Sequence, residues 1–138
     1  GFRHFGHDIT CEDHVLEAGL GFAIKTDKPD FIGRDSVLRK KETGLNMRML
    51  QFKLMDPEPL LYHNEPVIRD GKIVGFLSSG SYGHHLGRAI GLGYVPCAGE
   101  TIADILSSTY EIDVAGTRVN AEVSLKPMYD PSGARTKV

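Results

Sequence analysis

The densest set of reactive side chains lies near the N-terminus, where His4, His7, Asp8, Cys11, Glu12, Asp13 and His14 crowd imidazole, carboxylate and thiol groups into one short stretch. Those are the ligand types of zinc and related divalent metals. The spacing argues otherwise. There is no HExxH and no second HxxH pair at a matching distance, so these groups read as hydrogen-bonded or solvent-facing side chains beside a turn, and no metal is assigned. A second candidate is Ser78-Ser79-Gly80-Ser81-Tyr82-Gly83-His84-His85-Leu86-Gly87-Arg88, read as a small-residue loop between two strands. Backbone amides there would approach a ligand closely and Arg88 would hold an anion, or the stretch is a glycine-rich turn without a ligand. It is not a phosphate loop of the GxxxxGK[ST] kind, and Gly91-Leu92-Gly93 leads into Tyr94-Val95-Pro96 rather than into a helix. His84 and His85 are adjacent and on a strand would face opposite ways, which excludes them as an acid and base pair. Arg34, Arg69, Arg88, Arg118 and Arg135 are scattered and read as surface charges, one or two of which would clamp a carboxylate. Phe5, Tyr82, Tyr94 and Tyr129 read as core or rim aromatics.

The elements that position these groups change character along the chain. Leu20 to Ile24 is a short apolar run expected to form a buried strand, followed by a polar loop from Lys25 to Asp30. A helix is expected over Gly33 to Thr43, with Asp35 or Ser36 near its first turn, Arg39, Lys40 and Lys41 in its last, and Gly44 as the stop. From Met47 the period becomes two, with Arg48, Leu50, Phe52 and Leu54 on one face of a strand. Pro66 to Arg69, Asp70-Gly71 and Lys72 to Phe76 predict a hairpin with a type I′ turn. Further strands are expected at Ala89 to Val95, Thr109 to Val114 and Arg118 to Leu125, the last two joined through Ala115-Gly116-Thr117. Thr101 to Ser107 reads as a single helical turn, and Pro131 to Val138 as a loose tail. Regularly spaced short strands predict a sandwich or small barrel.

Composition sets the outer limits. The 138 residues are 41% hydrophobic and 25% charged, the balance of an ordinary soluble globular chain. A formal charge of −2 lacks the basic footprint of a nucleic-acid binder. No apolar run approaches the about 18 residues of a membrane helix, and the N-terminus lacks a signal-peptide layout. Cys11 and Cys97, far apart and outside any CxxC, make neither a disulfide framework nor a zinc site, which favours a reducing compartment. Gly1 opens the chain without a methionine, as in a fragment of something longer.

Ordered stretches along nearly the whole chain resemble the aminomethyltransferase, or T-protein, family of the glycine cleavage system, above all the version fused to flavin-dependent dimethylglycine and sarcosine dehydrogenases. They are Gly1-Phe2-Arg3-His4-Phe5-Gly6-His7-Asp8-Ile9-Thr10, Leu16-Glu17-Ala18-Gly19-Leu20-Gly21-Phe22, Lys28-Pro29-Asp30-Phe31-Ile32-Gly33-Arg34, Asp70-Gly71-Lys72-Ile73-Val74-Gly75, Ser79-Gly80-Ser81-Tyr82 and Leu92-Gly93-Tyr94-Val95-Pro96. The resemblance implies a mostly β, α+β chain: residues 1–44 as the end of a folate-binding α/β region with one helix, and residues 45–138 as a small C-terminal β-barrel domain. It implies transfer of a one-carbon unit onto tetrahydrofolate, with FAD only in a longer parent protein. It also places the family's catalytic aspartate and its pterin-reading glutamate ahead of the motif at which this chain begins. No catalytic residue is therefore assigned, and the chain alone is expected to be inactive.

Carried over residue by residue, the resemblance implies folate-site roles for five positions. Phe5 would border the folate, Lys28 would lie near its glutamate tail, and Tyr82 and Arg88 would face it from a barrel loop. Glu17 would be a ligand, or else a carboxylate capping or pairing at a strand entry. Arg135 would stand for a basic residue near family C-termini, and Asp8 would fix the turn that follows it. The implied partners are folate and the upstream part of the parent polypeptide, with no nucleic acid and no membrane, in the cytoplasm or mitochondrial matrix, and in the cytoplasm if bacterial. The alternative is a non-catalytic folate-binding or scaffold and interaction module of the same fold.

Overall fold

The change of period at Met47 marks the start of a closed barrel in the computed structural model, which describes residues 1–137. Its strands are β1 (Met47–Leu54), β2 (Pro66–Arg69), β3 (Lys72–Gly83), β4 (Arg88–Pro96), β5 (Tyr110–Val114) and β6 (Thr117–Ser124), in the spatial order β1-β4-β3-β2-β5-β6. Every pairing is antiparallel. The β2–β3 turn has φ of 50° at Asp70 and 81° at Gly71, the type I′ geometry that Asp-Gly predicts. The β5–β6 turn is one residue shorter than expected: Ala115 and Gly116 take positive φ and Thr117 already belongs to β6. The sheet closes where Gln51 to Leu54 of β1 pair with Ser124 to Ala121 of β6, and no strand edge is left along that seam.

The inward positions of the strands form the core, with Leu50, Phe52, Leu54, Val67, Leu77, Ala89, Val95 and Ile112 all buried. Leu61 enters from the loop after β1, and Gly80 of β3 makes room for it: a Cβ there would lie 2.6 Å from Leu61 Cβ. A short helix, α2 (Ile102–Ser107), covers one end of the barrel and buries Ile105. It starts at a capping box in which Thr101 and Asp104 satisfy each other's backbone amides. Tyr110 ties it down by donating its hydroxyl to the Ile105 carbonyl at 3.0 Å, while meeting Phe52 edge-on.

Residues before the barrel hold two helical pieces and no strand. The run Leu20 to Ile24, expected as a buried strand, is a 3-10 turn over Gly21–Ala23, with Ala23 N–H donating to the Leu20 carbonyl. A lone strand needs an open edge to pair with, and the closed barrel offers this segment none; Phe22 is 84% exposed. The predicted helix is present as α1 (Arg34–Thr43), with Asp35 in the first turn, Lys40 and Lys41 in the last, and Gly44 at φ 86° ending it. Val37 is its one buried residue. The tail is more ordered than expected, since Asp130 accepts from Ala134 and Arg135 amides and sets a 3-10 turn over Ala134–Thr136; Val138 lies outside the described residues.

Candidate functional site

The N-terminal loop is folded by its own backbone and pinned to the barrel by one buried carboxylate. The Gly6 amide donates to the Ile9 carbonyl and the Asp8 amide to the His4 carbonyl, which closes a tight turn. Asp8 is 2% exposed. It accepts from the His4 amide at 2.8 Å, from Ser78 Oγ at 2.5 Å and from Ser79 Oγ at 2.7 Å. Consecutive strand residues ordinarily face opposite ways, so two neighbouring serines reaching one carboxylate needs a special backbone. The register of β3 against β4 slips between Leu77 and Ser79, and this bulge turns both hydroxyls toward Asp8. Asp8 thus holds the turn that leads into it rather than the one that follows, which Asp13 holds through the Thr10 amide, and it also joins the loop to the sheet. The join leaves Phe5 at 66% and Phe2 at 90% exposure. His4 and His7 stack at 4.6 Å, and among the described residues no three potential metal ligands gather.

A cleft of about 260 Å³ runs between this N-terminal segment and the β3–β4 ribbon, where Phe2, Gln51, Tyr82, Ile90 and Leu92 line it. Ser78 to Arg88 is not the loop expected from its composition. Ser78 through Gly83 belong to β3, Arg88 opens β4, and only His84 to Gly87 form the turn, closed by the Leu86 and Gly87 amides on the Gly83 carbonyl. Glycine and serine suit a strand here because neighbouring backbone and Leu61 approach closely. Tyr82 and Arg88 accordingly sit on strands; Tyr82 is opposite Ala89 and Arg88 opposite Gly83, so alternation sends the two side chains to opposite faces of the ribbon. Arg88 Nη1 is buried without a hydrogen-bond partner. His84 packs against Tyr82, and His85 against Tyr129, over which Arg135 also lies. Beneath the N-terminal loop the Tyr94 hydroxyl also lacks a partner, and burial, with Asp13 the next contributor, pushes its pKa up to about 12.

Glu17 sits elsewhere, at the joint between the first 44 residues and β1. Its Oε1 accepts from the Asn46 and Met47 amides at 2.9 and 3.2 Å and from Lys40 Nζ at 2.8 Å, while its carbonyl accepts from the Met49 amide. Burial pushes this carboxyl up, but the Lys40 ammonium and the two amides outweigh it and hold the pKa below the ordinary value. Lys28 is exposed in the loop before α1, where its carbonyl accepts from Arg34 Nε at 3.1 Å. The five positions are therefore not one cluster: the Phe5 loop is joined to the β3–β4 ribbon that carries Tyr82 and Arg88, and Glu17 and Lys28 stand apart from it. Sequence reasoning missed Gln51, whose Oε1 accepts from the Met128 amide and anchors the C-terminal segment beside the cleft. Its signal was a polar residue at the centre of β1, flanked on both sides by Leu50 and Phe52.

A family profile described as the glycine cleavage T-protein C-terminal barrel domain matches residues 48–130, the span of the closed barrel. The chain belongs to that family. It is 44% identical to a 4-methylaminobutanoate oxidase (formaldehyde-forming) of Paenarthrobacter nicotinovorans over 99% of this chain, and 31% identical to the mitochondrial sarcosine dehydrogenase of Homo sapiens over 99%. An aminomethyltransferase of Synechococcus elongatus is 34% identical over 95%. The chain spans only 16%, 15% and 34% of the lengths of these three proteins. Among solved structures, the glycine cleavage system aminomethyltransferase T from Bartonella henselae superposes with a TM-score of 0.74 at 20% identity, covering 88% of this chain and 34% of that one. At that identity the match concerns the fold, and it is the same T-protein fold. Among the described residues no helix is long and apolar enough to cross a membrane.

Proposed function

We propose that this T-protein barrel chain is the C-terminal part of a tetrahydrofolate-dependent aminomethyltransferase-like module that accepts a one-carbon unit from a dimethylglycine or sarcosine dehydrogenase-type flavin oxidoreductase. The supporting observation is the alignment over 99% of the chain with two enzymes named for oxidising methylamino compounds, one of them named as formaldehyde-forming. Oxidation of an N-methyl group leaves carbon at the oxidation level of formaldehyde, which is the level a folate acceptor takes up. In this reading residues 1–44 are the end of the folate-binding region, residues 45–138 are the barrel, and the reacting carboxylate and the FAD belong to polypeptide outside these 138 residues.

In this reading Phe5 and Tyr82 form one wall of a folate site, and Arg88 and Lys28, outside that wall, are the cations offered to its carboxylates. Phe5 offers an exposed aromatic face, Tyr82 lines the neighbouring cleft, Arg88 keeps a buried nitrogen without a partner, and Lys28 is an exposed cation. Glu17 acts apart from that wall, holding α1 to the start of β1 through Lys40. Tetrahydrofolate, when bound, supplies the nitrogen nucleophile that takes the carbon. This chain's contribution is to bind, orient and exclude water. The partner it requires is the upstream part of the longer polypeptide, against which Phe2, Phe22 and Ile32, at 90%, 84% and 105% exposure, would pack. The location in this reading is the cytoplasm or the mitochondrial matrix, the latter as in the mitochondrial sarcosine dehydrogenase relative.

The test is isothermal titration with tetrahydrofolate of the 138-residue chain and of the longer polypeptide that contains it. Binding by the longer polypeptide alone is the expected result, because a site divided between two segments loses its preorganised half. Micromolar binding by the chain alone would place the main contacts within it and overturn the division. Binding by neither would end the folate reading.

A further inference from the structure

The end of the barrel where β1 begins opens into a cavity of about 600 Å³, within the range of small-molecule sites. Its lining is mixed, with Leu16, Leu45, Ile102 and Ile105 as the apolar part and Lys40, Lys41, Thr43 and Glu100 as the polar part. Arg48 faces into it. On β1 the inward positions are Leu50, Phe52 and Leu54, all buried, and alternation puts Arg48 on that same inward face at the mouth. A guanidinium thus occupies a place where the barrel's pattern calls for an apolar side chain.

This charge has no carboxylate partner among the described residues. Arg48 Nε is buried without a hydrogen-bond partner, and Arg48 forms no salt bridge among the described residues. Glu100, the one carboxylate on the lining among the described residues, is held by Arg69 at 2.7 Å. Lys40, also on the lining, is neutralised by Glu17 at 2.8 Å, while Lys41 meets only the Thr26 hydroxyl at 3.3 Å. Cys97 is hydrogen-bonded by Arg48, but burial outweighs the guanidinium and pushes that thiol up, so the contact brings Arg48 no negative charge. Arg48 is thus left without a carboxylate, and Lys41 is exposed at the rim. Arg48 is partly buried, and its Nε, buried without an acceptor, is the group that an anion arriving from solution would satisfy.

We propose that the barrel mouth is a binding site for a small organic carboxylate, its apolar body lying on Leu16, Leu45, Ile102 and Ile105 and its carboxylate meeting Arg48, with Lys41 at the rim. A carboxylate and a guanidinium form paired, charge-assisted hydrogen bonds, which an alcohol of the same length lacks. The site is separate from the Phe5 and Tyr82 wall and stands or falls independently of the folate reading.

The experiment is a ¹H–¹⁵N NMR titration of the 138-residue chain with sodium octanoate, with 1-octanol and inorganic phosphate titrated in parallel. Saturable shifts of the Gly44, Gly99 and Arg48 amides with octanoate are expected, at an affinity about tenfold tighter than for octanol and for phosphate, the size of one charge-assisted contact. Arg48→Met is expected to lose about the same factor, and Lys41→Gln about a factor of two, with unchanged spectra elsewhere. If Arg48→Met does not fold, the octanoate and octanol affinities of the unaltered chain decide the question. Equal affinity for the two would reduce the chamber to an apolar cavity and overturn the proposal, as would the absence of saturable shifts, or octanoate binding by a folded Arg48→Met chain as tight as before.

Discussion

At the level of single residues, two carboxylates join the first 44 residues to the barrel, and they do so by different physics. Asp8 is a buried acceptor for one amide and two hydroxyls, of which Ser78 Oγ also has the Leu92 carbonyl within 3.1 Å. Replacing it by alanine leaves the His4 amide and the Ser79 hydroxyl without this acceptor, and a loss of about 3 kcal/mol in urea unfolding is expected. Asp8→Asn is expected to lose less, because the amide oxygen still accepts. Glu17 works through charge. Its folded pKa lies below its unfolded value near 4.5, so the stability it contributes is complete above that value and disappears as pH falls through the lower, folded pKa. Unfolding measured from pH 7 to pH 2 should show the unaltered chain more stable than Glu17→Gln at neutral pH, with the difference closing below pH about 4.5. A constant difference across that range would mean that the Lys40 pairing contributes nothing pH-dependent. The sequence marked Asp8 as a turn residue and Glu17 as a ligand or a carboxylate pairing at a strand entry. It could not show that Ser78 and Ser79 come to Asp8, since that meeting depends on a bulge in a strand some seventy residues away.

Among the elements, those whose cause is local were legible in advance. The Asp-Gly turn, α1 with its acidic start and basic end, and the alternation of β1 are each set by a handful of neighbouring residues. The two misreadings share one origin. Leu20 to Ile24 has strand-like residues but no edge to pair with, and Ser78 to Gly83 has loop-like residues but finds β4 to pair with. Pairing partners override intrinsic preference in sheets. Gly80 illustrates the second case. A methyl group there would meet Leu61 Cβ at 2.6 Å and the Leu61 and Tyr62 backbone at 2.7 and 2.8 Å, so Gly80→Ala is expected to lower stability by about 2 to 3 kcal/mol in thermal or urea unfolding. Gly80→Ala with unaltered stability would show that the loop after β1 yields without cost.

Over the whole molecule, the buried apolar cluster draws only on residues from Leu45 onward. Before that point the buried apolar residues are Ala18 and Val37. Residues 45–138 expressed alone are therefore expected to unfold cooperatively with a β-rich circular dichroism spectrum, whereas residues 1–44 alone should give the spectrum of an unfolded chain. In the shortened barrel the Met47 and Met49 amides, which lose Glu17 as acceptor, should exchange with deuterium faster than in the full chain. A barrel that fails to fold without the first 44 residues would make the two parts one unit. By itself the sequence determined the period of each segment, the turn types and the family whose ordered motifs it carries, because these depend on neighbouring residues and on inherited spacing. Only the tertiary structure decided which edge each segment found, which serines met Asp8, and that Arg48 faces a cavity without a carboxylate partner among the described residues, because contacts between distant residues follow from closure of the barrel and not from local preference.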